Sequence, residues 1–227
     1  MRRAMLLITG LGTGGILFAL LLVSVAEQYT VVKAQELPPV TLVFPYPVTG
    51  TTLHAVALVE YEGPFWEDGS DEEVAGIAAL LVKNAGDLQI ARGAVILEWE
   101  DKRMVFEMTS LPPGTQALVL EKDKAAFRQG APKKCYGWAR EEYPEYNGAV
   151  QVREGDVLTV INLTESVVPM VTVCFKNYDA AADMFIGGIT YTAEARQLQP
   201  GECRTIAPYH YVCGNSRVVS ITTAVIE

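Results

Sequence analysis

The chain has few histidines, the side chains used most often for metal binding and for acid–base catalysis near neutral pH. Its 227 residues include only two histidines, His54 and His210, which lie far apart in the sequence. Metal sites need clusters of His, Cys or carboxylate side chains, and a catalytic nucleophile needs a base beside it. The G-x-S-x-G elbow, the P-loop and the dinucleotide-binding glycine pattern are also missing. The sequence therefore predicts no catalytic residue, no metal site and no cofactor.

Basic residues are outnumbered. Lysine and arginine total 18 against 27 aspartates and glutamates, which gives a formal net charge of -9. Nucleic-acid binding needs a concentrated basic surface, so this balance argues against a nucleic-acid partner. The acidic run at residues 67–73 offers carboxylate oxygens to Ca²⁺, but its spacing does not match an EF-hand loop. We interpret this run as a solvated loop.

A long apolar run occurs at the N-terminus. Residues 4–26 carry no charge and follow Arg2 and Arg3. About 20 apolar residues span a bilayer core of ~30 Å, and basic residues keep their side of the helix in the cytoplasm. We therefore predict a single-pass cell-membrane anchor at residues 1–27, with the N-terminus cytoplasmic and the rest of the chain extracytoplasmic. A cleaved signal peptide is the competing interpretation, because small residues at 24–26 fit a cleavage site.

Beyond the apolar run the sequence favours strands over helices. Residues 28–39 are polar and end in two prolines, which is typical of a short extended stalk. From residue 40 onward, short runs rich in β-branched and aromatic residues alternate with Gly, Pro, Asn and Asp. The predicted strands are 40–44, 53–61, 74–83, 91–100, 103–109, 117–120, 150–152, 157–162, 170–175, 188–192, 204–207 and 216–225. This pattern predicts an all-β fold built from β-sandwiches.

The β region also repeats itself weakly. A strand ending at Asn84 is followed by a Leu-Pro-Pro-Gly turn at 111–114, and a strand ending at Asn162 is followed by a Leu-Gln-Pro-Gly turn at 198–201. Asparagine at a strand end bonds the nearby backbone, and Pro-Gly turns the chain into the next strand. The second copy has nine extra residues between positions 176 and 188, which we interpret as a loop insertion.

The repeat predicts two immunoglobulin-like β-sandwich domains. The first domain is expected at residues 40–124 and the second at residues 150–227, since each range is long enough for one small core. Residues 125–149 are then an inter-domain segment.

The motifs of the first copy resemble a known family. The pair at 83–84, the Leu-Glu-Trp-Glu-Asp string at 97–101 and the turn at 111–114 resemble the FxLYD-type immunoglobulin-like modules of Gram-positive surface proteins. The second copy resembles the same module with a longer loop. The resemblance implies a surface-exposed sandwich with a non-enzymatic role in the cell envelope.

Four cysteines are present: Cys135, Cys174, Cys203 and Cys213. They allow three pairings, and export from the cytoplasm permits oxidation. Cys203 and Cys213 lie ten positions apart and would close a hairpin-like loop, so we predict a disulfide between them. In the alternative interpretation all four are free, buried thiols.

A cysteine enzyme is the less favoured alternative. An N-terminal anchor, an exported β fold and a cysteine near an arginine resemble a sortase in outline. Sortases carry the thiol at the end of a Thr-x-Thr-Cys-like strand, with arginine on the next strand and histidine well upstream. Cys213 lacks the threonines, Arg217 follows after only four residues, and His210 precedes it by three. A thiol without a placed base is not activated, so we do not predict transpeptidation.

The segment before the second domain is rich in aromatic rings: Tyr136, Trp138, Tyr143 and Tyr146 fall within 11 residues. Tyrosine and tryptophan provide large contact areas at low entropic cost, so such clusters favour a binding site for a surface ligand. The favoured interpretation is nevertheless that these rings pack between the two domains, and a receptor that binds a surface ligand through them is the alternative. We predict a membrane-anchored, extracytoplasmic protein with a non-catalytic interaction or structural role and a protein partner at the bacterial cell surface.

Overall fold

The computed structural model describes residues 42–70, 72–143 and 148–224, and all regular structure in these ranges is β. The predicted anchor at 1–27 and stalk at 28–39 lie outside the described residues. In the described ranges no helix is long and apolar enough to cross a membrane. The strands are β1 (Tyr46–Pro47), β2 (Leu53–Phe65), β3 (Glu72–Asn84), β4 (Gln89–Glu98), β5 (Arg103–Leu111), β6 (Gln116–Leu120), β7 (Lys134–Glu142), β8 (Val150–Arg153), β9 (Leu158–Asn162), β10 (Val168–Asp179), β11 (Met184–Leu198), β12 (Cys203–Ile206) and β13 (Ser216–Ala224).

Three sheets make up the fold. The longest has the order β1-β2-β3-β6-β11-β10-β13, and the two three-stranded sheets have the orders β5-β4-β7 and β12-β9-β8. Nearly all neighbours are antiparallel, but β6 and β11 run parallel and pair only at Phe185 with Ala117 and at Ile186 with Leu118. That short pairing joins the first half of the described chain (42–143) to the second half (148–224) in one seven-stranded sheet.

Each half has its own hydrophobic core, as expected of a sandwich-like fold. In the first half, alternate residues of β2, β3 and β6 meet alternate residues of β4, β5 and β7, with Leu80, Leu97 and Phe106 fully buried. In the second half, Val160 of β9 packs with Val173 and other residues of β10, β11 and β13. Alternation along each strand places one face in a core and leaves the other for solvent or a partner.

The predicted domain boundaries are crossed in two places. Residues 134–142, assigned above to an inter-domain segment, form β7 and pair with β4 along its whole length. Conversely, Tyr178 of β10 and Phe185 of β11 are buried in the core of the first half. The described residues belong to one compact unit.

The supposed loop insertion is the element that joins the halves. Residues 176–188 are not a loop: β10 continues to Asp179, turns, and returns as β11 from Met184. This hairpin extension carries Tyr178 and Phe185 into the first core and provides the β11 residues that pair with β6. The expected strand at 40–44 is also wrong over its described part, since residues 42–45 are irregular and the first strand is β1.

Asn84 and Asn162 make the same contacts in the two halves. Asn84 Nδ2 donates to the carbonyls of Leu88 and Leu111 at 2.8 and 3.1 Å. Asn162 Nδ2 donates to the carbonyls of Ser166, Leu198 and Gln199 at 2.8 to 3.0 Å. In each case Oδ1 accepts from the backbone N–H two residues later. Both asparagines therefore tie a strand end to the start of the Pro-Gly turn that the sequence repeat predicted.

Candidate functional site

The predicted aromatic residues lie on and beside an edge strand. β7 is an edge of the sheet β5-β4-β7, and Tyr136 and Trp138 point to the face opposite the core. Trp138 is 47% exposed and Tyr143, just after β7, is 79% exposed. Tyr146 lies outside the described residues. The rings at 138 and 143 therefore remain accessible rather than packing inside the fold.

Trp138 borders a depression with an apolar floor and charged walls. We call its apolar part the outer-face patch and define it as Ala94, Ile96, Val105, Tyr136 and Trp138. Trp138 is the cross-strand partner of Ala94, and Tyr136 is the partner of Ile96. On the other side of β4, Val105 is the partner of Ile96. A small residue beside a tryptophan leaves a hollow, and a cavity of about 390 Å³ opens there.

Charged side chains surround the outer-face patch. Lys122 forms an ion pair with Glu107 at 3.7 Å beside the cavity, and Arg103, the cross-strand partner of Glu98, also lines it. At the other end, Glu98 accepts hydrogen bonds from Lys134 at 2.9 Å and Tyr136 at 3.1 Å, which hold the pKa of its carboxyl below its usual value. An apolar centre with a polar rim is the usual anatomy of a protein interface.

Close packing explains a small residue in the middle of this strand. A Cβ added at Gly137 would lie 2.2 Å from the carbonyl oxygen of Ala94 and 3.0 Å from a methyl group of Val48. Only glycine fits there, so β7 comes close to β4 and presents the rings on either side of position 137.

The predicted disulfide is not formed. All four cysteines are free thiols, and Cys203 and Cys213 are both exposed. Cys203 begins β12 in the sheet β12-β9-β8, whereas Cys213 lies in a turn before β13. Cys135 is buried in the first core, and that burial raises the pKa of its thiol to about 11.

His210 and Arg217, the two residues considered beside Cys213 in the sortase-like alternative, both contact aromatic rings. The His210 ring stacks on Tyr191 with centroids 4.4 Å apart, and the Arg217 guanidinium lies 3.7 Å from the centroid of the Tyr178 ring. Among the described residues no group of three or more His, Cys, Asp or Glu side chains is arranged to hold a metal ion.

A buried lysine and a carboxylate that binds backbone N–H groups connect the two halves. Lys176 of β10 is fully buried, and its Nζ donates to the carbonyls of Thr109, Gly188 and Ile189 at 3.0, 2.9 and 2.7 Å. The carboxylate of Glu67, in the turn between β2 and β3, accepts from the N–H of Gly188 at 2.7 Å and of Leu120 at 2.9 Å. We call this set of contacts the junction.

Burial shifts both charged groups of the junction towards neutrality. Desolvation raises the pKa of Glu67 to about 7, opposed by its backbone hydrogen bonds and by Lys176. Desolvation lowers the pKa of Lys176 to about 7, opposed by Glu67. The ammonium of Lys176 has lost its hydration, and its three hydrogen bonds to carbonyls compensate part of that loss.

Two glycines make room for the junction. The pairing of β10 with β11 is irregular between Phe175 and Asn177, where β11 bulges. A Cβ at Gly187, which has a φ of +79°, would lie 2.7 Å from Trp66 Cβ, and one at Gly188 would lie 1.9 Å from the carbonyl oxygen of Glu107. The freed carbonyls of the bulge are those that Lys176 binds, so the irregular backbone and the buried ammonium stabilise each other.

Cavities open on each side of the turn that carries Trp66 and Glu67. Glu67 lines one of about 430 Å³, together with Glu107 and Lys122. Trp66 lines another of about 600 Å³, together with residues of β10 and of the loop before β13. We call the second cavity the Tyr209 pocket, after the 90% exposed ring beside it.

The junction and the Tyr209 pocket do not follow from the sequence reasoning above. Two features of the sequence point to this region: a lysine among the alternating apolar residues of β10, and the pair Gly187–Gly188. Neither identifies its partner, because the contacts join residues as many as 121 positions apart. No family model, curated protein or solved structure matches this chain.

Proposed function

We propose that the chain is a membrane-anchored, extracytoplasmic, immunoglobulin-like protein that binds a protein partner at the bacterial cell surface through its outer-face patch. The observation that carries this proposal is the exposure of Trp138 beside the buried floor formed by Ala94 and Ile96. A half-exposed tryptophan over an apolar hollow is typical of an interaction hot spot.

The surroundings of the patch favour a protein partner. The outer edge of β7 is bridged by Thr49 at Tyr136, and the remainder of that edge offers backbone N–H and C=O groups to an incoming extended segment. Charges of both signs lie at the rim, including Arg103 and Glu107. They favour a partner with complementary charges and contribute more to specificity than to affinity. The role is non-catalytic in this proposal, since it uses ring contacts and backbone hydrogen bonds.

Site-specific crosslinking in intact bacterial cells tests this proposal. A photo-crosslinking residue replaces Arg140, which is exposed on β7 on the same face as Trp138, and the control carries it at Gln151, exposed on β8. We expect a discrete crosslinked protein from position 140 and none from position 151. Adding Trp138→Ala should reduce the product about 30-fold, the loss of one hot-spot ring.

A matched variant separates this effect from a general loss of exposed rings. Tyr209→Ala removes a ring that is more exposed than Trp138 and belongs to the other half. It should leave the crosslink at position 140 unchanged. Equal crosslinking at 140 and 151, or a crosslink at 140 indifferent to Trp138→Ala, would overturn the assignment of the patch.

The predicted anchor has its own test. Residues 1–40 are fused to a phosphatase that folds only after export, and the matched fusion carries Arg2→Glu and Arg3→Glu. Because basic flanks hold the N-terminus inside, we expect phosphatase activity from the first fusion and less from the second. An inactive first fusion contradicts the extracytoplasmic location.

A further inference from the structure

The walls of the Tyr209 pocket are aromatic and come from both halves. Trp66 reaches it from the turn between β2 and β3, Tyr178 from β10, and Tyr209 and His210 from the loop between β12 and β13. The pocket volume of about 600 Å³ lies within the usual range for small-molecule sites, ~300–1,000 Å³.

A continuous stack of rings supports the wall at Tyr209. Phe175 in the second core stacks on Tyr191 with centroids 5.6 Å apart, Tyr191 stacks on His210 at 4.4 Å, and the Tyr209 ring meets His210 edge-on at 4.8 Å. The loop itself is held by a backbone hydrogen bond from Tyr211 to Pro208 at 3.1 Å. Tyr209 is thus exposed but positioned on a rigid base, which lowers the entropic cost of using it in binding.

Polar groups line the pocket between the rings. Asn177 is one of them, and its Nδ2 is shielded from water without a hydrogen-bond partner. An unpaired buried amide donor is unfavourable. Rotation about the Cβ–Cγ bond would let this N–H group donate to an oxygen of a bound ligand. Asp179 also lines the pocket; its Oδ1 accepts from the N–H groups of Ala181 and Ala182, which leaves Oδ2 as an acceptor for a ligand hydroxyl.

This combination excludes several ligand classes. Among the residues that the structure describes, no lysine or arginine lines the pocket, whereas the acidic Asp179 does, so a phosphorylated or carboxylated ligand is disfavoured. A purely apolar ligand would leave the Asn177 amide donor and the Oδ2 atom of Asp179 without a partner. A simple organic cation would suit the rings and Asp179 but has no acceptor for Asn177.

We infer that the Tyr209 pocket binds a neutral saccharide. A sugar ring has an apolar C–H face that packs on an aromatic ring, and its hydroxyl groups both donate and accept hydrogen bonds. The face would lie against Trp66 or Tyr209, with one oxygen accepting from Asn177 and one hydroxyl donating to Asp179. The inference is independent of the outer-face patch, which lies in the first half.

Calorimetric titration of the full chain in lipid nanodiscs tests this inference. The two probes are the tetrasaccharide of N-acetylglucosamine and the tetrasaccharide of glucose, each titrated through the millimolar range. We expect saturable binding of at least one. If only the acetylated probe binds, the ligand oxygen that accepts from Asn177 is the amide carbonyl. If both probes bind, that oxygen belongs to a hydroxyl group. Either result supports the inference.

Variants locate the binding. Tyr209→Ala should weaken it about 10-fold, because one aromatic contact is lost at a position too exposed to affect folding. Tyr209→Phe keeps the ring and should retain most of the affinity. Gln151→Ala, at an exposed position of β8 outside the pocket, is the control and should leave the affinity for the saccharide unchanged. Absence of saturable binding by both probes, or binding indifferent to Tyr209→Ala, would overturn the inference.

Discussion

At the scale of single residues, Asn84 and Asn162 show how one side chain fixes a turn at a distance. Each amide satisfies backbone carbonyls from two separate segments, and each is almost fully buried. Such carbonyls have no access to water if the amide is removed, so the loss costs more than the hydrogen bonds themselves.

Asn162→Ala should therefore lower the free energy of unfolding by about 2–4 kcal/mol, because three carbonyls lose their donor. Urea denaturation followed by circular dichroism measures the change. The control is Gln151→Ala, an exposed amide that should stay within about 0.5 kcal/mol of wild type. A loss for Asn162→Ala as small as the control would contradict this account of the turn.

Lys176 is the other residue whose removal has a defined consequence. Lys176→Met leaves three backbone carbonyls without their donor, so we expect a loss of about 3–5 kcal/mol in urea denaturation. The control is Lys122→Met, which breaks an exposed ion pair and should cost at most about 1 kcal/mol.

The same pair gives stability a characteristic pH dependence. The pKa of Glu67 is raised from 4.5 to about 7, so the folded chain holds an extra proton in that window and stability falls as pH rises through it. The pKa of Lys176 is lowered from 10.5 to about 7, so above pH 7 the unfolded chain holds the extra proton and stability rises. The free energy of unfolding of wild type minus that of the double variant Glu67→Gln/Lys176→Met, plotted against pH, should thus show a minimum near pH 7. A difference that does not vary with pH would contradict this account.

At the scale of elements, the hairpin extension of β10 and β11 is the connector between the halves. Its bulge depends on Gly187 and Gly188, which allow the turn carrying Trp66 and Glu67 to come close. The rest of β11 pairs regularly with β10 from Tyr191 to Leu198. The specialised geometry is therefore confined to the point where the two halves meet.

Gly188→Ala should destabilise the protein by more than about 2 kcal/mol, because the new methyl group meets the backbone oxygen of Glu107 at 1.9 Å. Gly148→Ala is the matched control, since nothing lies within 4 Å of its added Cβ. Thermal unfolding of both variants measures the difference. Equal melting temperatures would show that the junction relaxes without cost.

Elements with strong alternation could be predicted from the sequence, and those set by close packing could not. β4, β5 and β9 were expected within two residues of their ends, because large apolar side chains alternate along β5 and β9 and form a continuous run in β4. β7 was missed because its inward positions are small, Cys135, Gly137 and Ala139, and give little hydrophobic signal. The exposed rings of the candidate site were visible in the sequence, but the floor beneath them depends on the pairing of β7 with β4.

At the scale of the whole molecule, one sheet runs through both halves. The halves keep separate cores, yet Tyr178 and Phe185 of the second half are buried in the first core. Lys176 of the second half also binds Thr109 of the first, and Glu67 of the first half binds Gly188 of the second. Cores that share buried side chains and the hydrogen bonds of a buried lysine unfold together, because unfolding of one half removes contacts that stabilise the other.

We therefore expect a single cooperative unfolding transition. The three tryptophans, Trp66, Trp99 and Trp138, all lie in the first half, so their fluorescence reports on that half. A variant retaining only Cys174, in β10, reports on the second half through its rate of alkylation. The two transitions in urea should coincide; alkylation of Cys174 at a lower urea concentration than the fluorescence change would show independent domains.

The burial of Asn162 has a practical consequence for producing the protein. Asn162-Leu163-Thr164 forms an N-glycosylation acceptor sequence, and eukaryotic secretory hosts modify such asparagines on the nascent chain, before folding. A glycan attached there would replace an Nδ2 hydrogen that the folded chain directs at buried carbonyls, at a position only 1% exposed. Yeast or mammalian secretion should therefore yield misfolded, retained chains, and Thr164→Ala, which abolishes the acceptor sequence, should restore secretion.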